Sequence, residues 1–382
     1  MTPEEEAKTE NCEDPRNDQG VRRLIVQPAL FFAFSEPLWV GLAVALVYAF
    51  YLLQTGWSLA LTSVALALAF LPFGVRILAR RSPAHRTPFD VTLAVLMIGA
   101  VVGLIVSPVI ATSAGAFQCM LALCFFYYSV LGYRSLHKIV KPLLFGSLVP
   151  LAAFYVVALA KPDGFTGQAD EAGCTYHGVA LGLVIILSLF AGIAVFGRKD
   201  SARRPAILVS ICLIGAVAYQ VSDSIPRLVG WETVEGRLPR WEHTIDLLRE
   251  NPITGLGLGG WGYAYHGSEI LTHPTHAHNA YLELYANTGL LGVLALAVAL
   301  FVGTKLAWGI IRSPRNHPWY GFGVGVVLAC VATLLVGIVE SAPVGVPMVA
   351  EDTYYYLISP VPWILAGLLV AANNLIKTEV KE

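Results

Sequence analysis

The stretch HPTHAHN, from His273 to Asn279, places three of the chain's nine histidines within six residues, and His266 stands shortly upstream. Two chemistries suit such a cluster. A zinc site needs three or four ligands at about 2 Å, and His273, His276 and His278 suffice in number. The order H-x-x-H-x-H is, however, not the helical HExxH arrangement, and neither Cys nor Asp stands beside it. General-base chemistry asks less. Neutral imidazole, with an ordinary pKa near about 6.5, is available to take a proton from an attacking hydroxyl. The plain alternative is a polar loop whose histidines rest among lipid headgroups.

Arginines favour the second chemistry. Arg227, Arg237, Arg240 and Arg249 lie in the same segment as the histidines. A guanidinium carries a fixed charge and planar donors that match phosphate oxygens, so these residues suit an anionic leaving group.

The elements that must hold these residues follow from composition. The chain has 382 residues, of which 56% are hydrophobic and 13% charged, with mean hydropathy +0.65. Soluble domains carry about 25% charged residues, so this composition belongs in a bilayer. The apolar runs have helical length and are rich in Leu, Ala and Gly, which excludes barrel strands. Ten spans are expected near 38–54, 57–75, 89–110, 114–133, 142–160, 177–196, 206–222, 281–303, 320–339 and 355–376. The first 20 residues are polar and acidic, without the basic start and apolar middle of a signal peptide. The short apolar stretch 24–34 reads as an interfacial segment or part of a broken first helix.

Basic residues orient these spans. The connections 76–86, 134–141, 197–204 and 305–315, together with both chain ends, carry 20 of the 25 Lys and Arg residues. That side is expected to be cytoplasmic, with both termini inside. Cys119, Cys124, Cys212 and Cys330 fall within spans, Cys12 in the tail, and only Cys174 faces outward, so no outer disulfide is expected.

The long outward segment, residues 223–280, has its own organisation. RWEHTIDLLRE puts Trp241, Ile245 and Leu248 on one helical face and Glu242, Asp246 and Glu250 on the other. Pro239 suits the start of that helix and Asn251-Pro252 its stop, and its apolar face suits the membrane surface. GLGLGGWG follows. It contains a formal GxGxxG in Gly255, Gly257 and Gly260, but no strand precedes it, which excludes a dinucleotide site. The glycines allow close approach of backbone to a neighbouring helix or to a phosphate. Asn279 is expected to cap the helix beginning AYLELY, and Glu283 in its first turn suits the helix dipole. His278 is thereby mounted where a helix leaves the membrane.

The ordered set GRLPRW (236–241), NPITGLGLGGWG (251–262) and HAHNAYLELYANTGLLG (276–292) resembles the O-antigen ligase and O-antigen polymerase superfamily. The resemblance covers about 60 residues; elsewhere the spans match only as hydrophobic helices. It implies an all-α polytopic enzyme of the bacterial inner membrane, a glycosyltransferase of the C superfamily. Such enzymes move a glycan from undecaprenyl diphosphate, on the periplasmic side, to an acceptor hydroxyl on a glycan, a lipid A core or a protein. By position, His278 corresponds to the essential histidine, and Arg237, four residues before Trp241, to the pyrophosphate-binding arginine, a role Arg240 is close enough to share. His276 and Asn279 then belong to the substrate contacts. Arg227 is the candidate for an additional outward arginine, although the helix pair usually found before the GR motif is missing here.

This resemblance implies inverting transfer without metal, cofactor or nucleic-acid partner. The corresponding organisation is a disordered cytoplasmic tail (1–23), an N-terminal transmembrane bundle (24–222), a periplasmic catalytic loop (223–280) and C-terminal transmembrane helices (281–382). For a ligase that must engage a bulky lipid A core the outward loop is short, which leaves room for a polymerase or a protein-glycosylating relative beside a ligase. A polysaccharide or lipid transporter is the rival of a different class; it would place ionisable residues or broken helices near the membrane midplane, whereas the clear spans here lack charged residues at their centres and the polar chemistry gathers in one outward loop.

Overall fold

The computed structural model describes residues 86–131 except 109, 237–266, 277–339, 346–350, 353–357 and 361–379, with scattered positions between 67 and 77 and at 207. Helices dominate them: α1 (Asp90–Val106), α2 (Ile110–Leu131), α3 (Leu238–Glu250), α4 (Gly260–His266), α5 (Ala280–Ile311), α6 (Tyr320–Val339) and α7 (Val361–Glu379). Five of these stand where the spans 89–110, 114–133, 281–303, 320–339 and 355–376 were expected. The other five spans, the tail 1–23 and the stretch 24–34 lie wholly or largely outside the described residues. Within those residues two helices, Ala280–Ile311 and Tyr320–Ile338, are long and apolar enough to cross a membrane.

α1, α2, α5, α6 and α7 share one apolar core, with Ala100, Leu123, Tyr127, Ile310, Val326 and Leu368 buried in it. The hydroxyls of Ser107, just past α1, and of Ser113, near the start of α2, both donate to the Leu258 carbonyl, at 2.9 and 2.7 Å. Asn279, at the start of α5, donates to the Ile338 carbonyl near the end of α6 at 2.8 Å. Helix ends read as outward from the charge pattern therefore gather with the glycine segment. At the other ends, a Cβ on Gly323 would meet Ile310 and Ile376, and one on Gly309 would meet Asn373.

Two boundaries differ from the sequence expectation. α5 continues to Ile311, so the first seven residues of the expected basic loop 305–315 are helical. Lys305 does not end the helix, because it lies over the Phe301 ring of the preceding turn at 4.3 Å, and Arg312, the C-cap, lies over Trp308 at the same distance. The last span begins late. Residues Thr353–Leu357 form β2, paired antiparallel with β1 (Val346–Ala350), and α7 starts only at Val361. A short hairpin thus precedes the last helix of an otherwise helical set of described residues: the Thr and three Tyr of TYYYL prefer a strand, and Pro360 and Pro362 suit a helix start after it.

The largest departure is inside α5. Gly289 has φ 63° and ψ −156°, a conformation open essentially to glycine alone, and it breaks the helix within its apolar run. The break separates Leu290 N–H from the Ala286 carbonyl, its ordinary helical acceptor. Both groups are taken up by the glycine segment: Leu290 N–H donates to Ile253 O at 2.9 Å, and Leu256 N–H donates to Ala286 O at 2.7 Å. A broken helix at this depth is tolerated because protein backbone replaces the lost partners.

Candidate active site

Three segments carry the candidate residues, and each folds for a local reason. α3 starts with Arg237 at its N-cap and Pro239 in its first turn, where a missing N–H is harmless, and Asn251 ends it. Its inward stripe is Trp241, Thr244 and Leu248. Thr244 and Leu248 are fully buried, whereas Ile245 is exposed, which corrects the expected Trp241–Ile245–Leu248 face. A polar residue can take the inward position because its hydroxyl is satisfied twice: it donates to Arg240 O at 2.7 Å and accepts from Trp261 Nε1 at 2.9 Å. Trp261, itself 0% exposed, opens α4 and stacks on Tyr265, with ring centroids 4.6 Å apart.

The glycine segment wedges between membrane helices. Gly255, Gly257 and Gly259 all adopt positive φ. A Cβ on Gly255 would lie 2.5 Å from the carbonyls of Tyr285 and Ala286, and one on Gly257 would lie 2.6 Å from Ser107 Cα. Leu258 N–H donates to Gly103 O at 3.0 Å. The close approach to neighbouring helices expected for these glycines is thus present at Gly255 and Gly257.

The HAHN segment carries a strained residue. His278 has φ 52°, the left-handed region, and is only 9% exposed. Among non-glycine residues histidine enters that region more readily than most, yet it still costs about 1 kcal/mol. Its neighbours hold it. Before it, Ala277 N–H donates to Glu283 Oε2 at 3.0 Å, and Ala277 O accepts from Trp241 Nε1 at 2.9 Å. After it, the Asn279 carboxamide oxygen accepts from Tyr281 N–H and Leu282 N–H, both at 3.0 Å, as the N-cap of α5.

Glu283 is 0% exposed and does more than suit the dipole. Besides Ala277 N–H, its carboxylate accepts from Asn287 Nδ2 at 3.0 Å, and Asn287 Oδ1 in turn accepts from Gly259 N–H at 2.7 Å. A buried relay of hydrogen bonds thus joins the glycine segment, the first turns of α5 and the residue before His278. Sequence reasoning overlooked Asn287, Thr244 and Trp261. The Glu283–Asn287 spacing of four was the one available signal, since it places both on one face of α5.

Of the predicted residues, Arg237, Arg240, His278 and Asn279 are described, and the first two lie on the α3 helix that touches Ala277 through Trp241. Both arginines are half-buried. Arg249, at the far end of α3, pairs with Asp246 at 2.7 Å. Asn279, expected among the substrate contacts, commits its oxygen to the cap and its nitrogen to Ile338 O. Arg227, His273 and His276 lie outside the described residues. Among the described ones, no three potential metal ligands stand together.

Comparison with known proteins bears on this cluster. Residues 177–297 match the O-antigen ligase family. The match takes in α3, the glycine segment, α4 and the first half of α5, so the resemblance to the O-antigen ligase and polymerase superfamily holds where the candidate residues are. No curated protein matches the chain.

Proposed function

We propose, starting from the O-antigen-ligase domain at 177–297, that the chain is a periplasm-facing glycosyltransferase that moves an oligo- or polysaccharide from undecaprenyl diphosphate to an acceptor hydroxyl. His278 takes the hydroxyl proton as the acceptor oxygen attacks the anomeric carbon. The bond from that carbon to the phosphate oxygen breaks, undecaprenyl diphosphate leaves, and the anomeric configuration inverts. Arg237 and Arg240, with Arg227 as a further candidate, offset the charge that builds on the pyrophosphate. Such a leaving group asks for a base and fixed positive charge, not for a metal.

The observation that carries this reading is the contact between α3 and the HAHN segment through Trp241 Nε1 and Ala277 O, which ties the arginine-bearing helix to the residue beside His278. The cluster also sits at the mouth of the membrane helices, where a lipid-linked donor presents its head group. The inner-membrane setting, with both termini cytoplasmic, is part of the same proposal.

The test is reconstitution of the purified chain with an undecaprenyl diphosphate-linked glycan and acceptor. The expected result is one undecaprenyl diphosphate released per new glycosidic bond, insensitive to EDTA. Glycan accumulating inside vesicles without a new bond would support a transporter instead. Deleting the gene in its host sorts ligase from polymerase: loss of all chains from the lipid core marks a ligase, and caps of a single repeat mark a polymerase.

A further inference from the structure

Beside the Trp241 contact and the Asn279 cap, a chain of described groups next to His278 traces back to one buried carboxylate. Ala277 N–H is held by Glu283 Oε2, Glu283 Oε1 is held by Asn287 Nδ2, and Asn287 Oδ1 is held by Gly259 N–H. The carboxylate is wholly enclosed. Burying an acid at such a site is unfavourable unless it is fully hydrogen-bonded, and here its described partners are all backbone or carboxamide donors. An ordinary cap would use a residue at the first turn to bond the cap's own amide. This one reaches past Asn279 and His278 to the amide two residues before the cap.

We infer that Glu283 and Asn287 are positioning residues that hold His278 in its left-handed backbone conformation for proton transfer, an inference that rests on His278 being the base. Hydrogen-bond inventory makes the claim specific. A carboxylate accepts from Ala277 and Asn287 at once. A glutamine in its place accepts from only one of them and points its own N–H2 at the other. If Asn287 flips to receive that donor, its nitrogen faces Gly259 N–H. Glu283→Gln therefore leaves two buried donors facing each other in any arrangement. Asn287→Asp alone sets two acceptors against each other. The double variant Glu283→Gln/Asn287→Asp restores the side-chain relay from Ala277 to Gly259: the glutamine oxygen accepts from Ala277 N–H, its nitrogen donates to Asp, and the second Asp oxygen accepts from Gly259 N–H; it gives up the bond from Asn287 Nδ2 to the backbone carbonyl of residue 283, 2.7 Å in the wild type, which Asn287→Asp alone gives up too.

The experiment uses purified full-length protein in lipid nanodiscs, with undecaprenyl diphosphate-linked glycan from the host as donor and the host's glycolipid fraction as acceptor. Glu283→Gln is expected to lower kcat at least tenfold while donor KM stays within about twofold, with Asn287→Asp behaving alike. The double variant is expected to recover at least tenfold over either single change. Wild-type kcat in Glu283→Gln overturns the inference, as does failure of the double variant to recover when its unfolding midpoint matches wild type. Loss that tracks a falling midpoint in all three also overturns it, since the residues would then serve stability alone. A parallel His278→Ala arm separates the two claims. If that variant is inactive and Glu283→Gln is not, only the positioning role falls; if His278→Ala is fully active, the base reading falls first.

Discussion

The break in α5 makes a quantitative prediction. At Gly289 the backbone sits where other residues are strained by about 1–3 kcal/mol, and a Cβ there would run into Ile253 O and lie 2.6 Å from the Thr254 carbonyl carbon. Since those atoms are backbone, Gly289→Ala forces the glycine segment away and removes the bonds Leu290 N–H to Ile253 O and Leu256 N–H to Ala286 O. With about 1 kcal/mol for each bond added to the strain of about 1–3 kcal/mol, the docked segment loses about 3–5 kcal/mol, a factor of about 100 to 5000 in its docking equilibrium. Hydrogen–deuterium exchange on peptides covering 251–262 reads this directly, with exchange accelerated by that factor. Gly303→Ala is the control: it lies on the same helix, and a Cβ there approaches nothing closer than 4.0 Å. Exchange equal to wild type in Gly289→Ala, or equal acceleration in both variants, would refute the wedge.

Other changes should respond in kind. Thr244→Val keeps the shape but strips Trp261 Nε1 of its acceptor, which costs about 1–3 kcal/mol and should appear as a lower unfolding midpoint in detergent. Asn279→Ala removes the α5 cap, worth about 1 kcal/mol, and the bond to Ile338 O, so a modest midpoint fall is expected, with Asn279→Asp keeping the cap but not the bond to Ile338. Replacing Arg237 and Arg240 together by Ala should reduce kcat/KM for the lipid diphosphate donor at least a hundredfold, and Lys should restore only part, because the planar fork is lost; donor titration checks this.

Some of this was legible in the sequence, and the reason differs from element to element. α3 announced itself through Pro239 and the Asn251-Pro252 stop, which act locally on backbone freedom. Asn279 as a cap was equally local. The Thr244 exchange for Ile245 was not legible, because the preference for a polar inward residue comes from Trp261, 17 positions away. The α5 break was hidden inside ANTGLLGVLALAVAL, where a glycine among apolar residues reads as an ordinary membrane helix; only the Ile253–Leu256 backbone that fills the gap reveals it. The hairpin at 346–357 was lost because hydropathy alone cannot separate TYYYL from the start of a span. Glu283 was seen as a charge near a helix dipole, while its partner Asn287 and the long reach to Ala277 depend on the fold of the preceding segment.

The central claim is that His278 is the base of a glycan transfer from undecaprenyl diphosphate. Its most direct measurement is the single-turnover rate of glycosidic bond formation by His278→Ala, with donor saturating and the variant's unfolding midpoint verified. Rate loss of at least a hundredfold, with donor still bound, is the predicted result. A His278→Ala protein that transfers glycan at the wild-type rate would contradict the account.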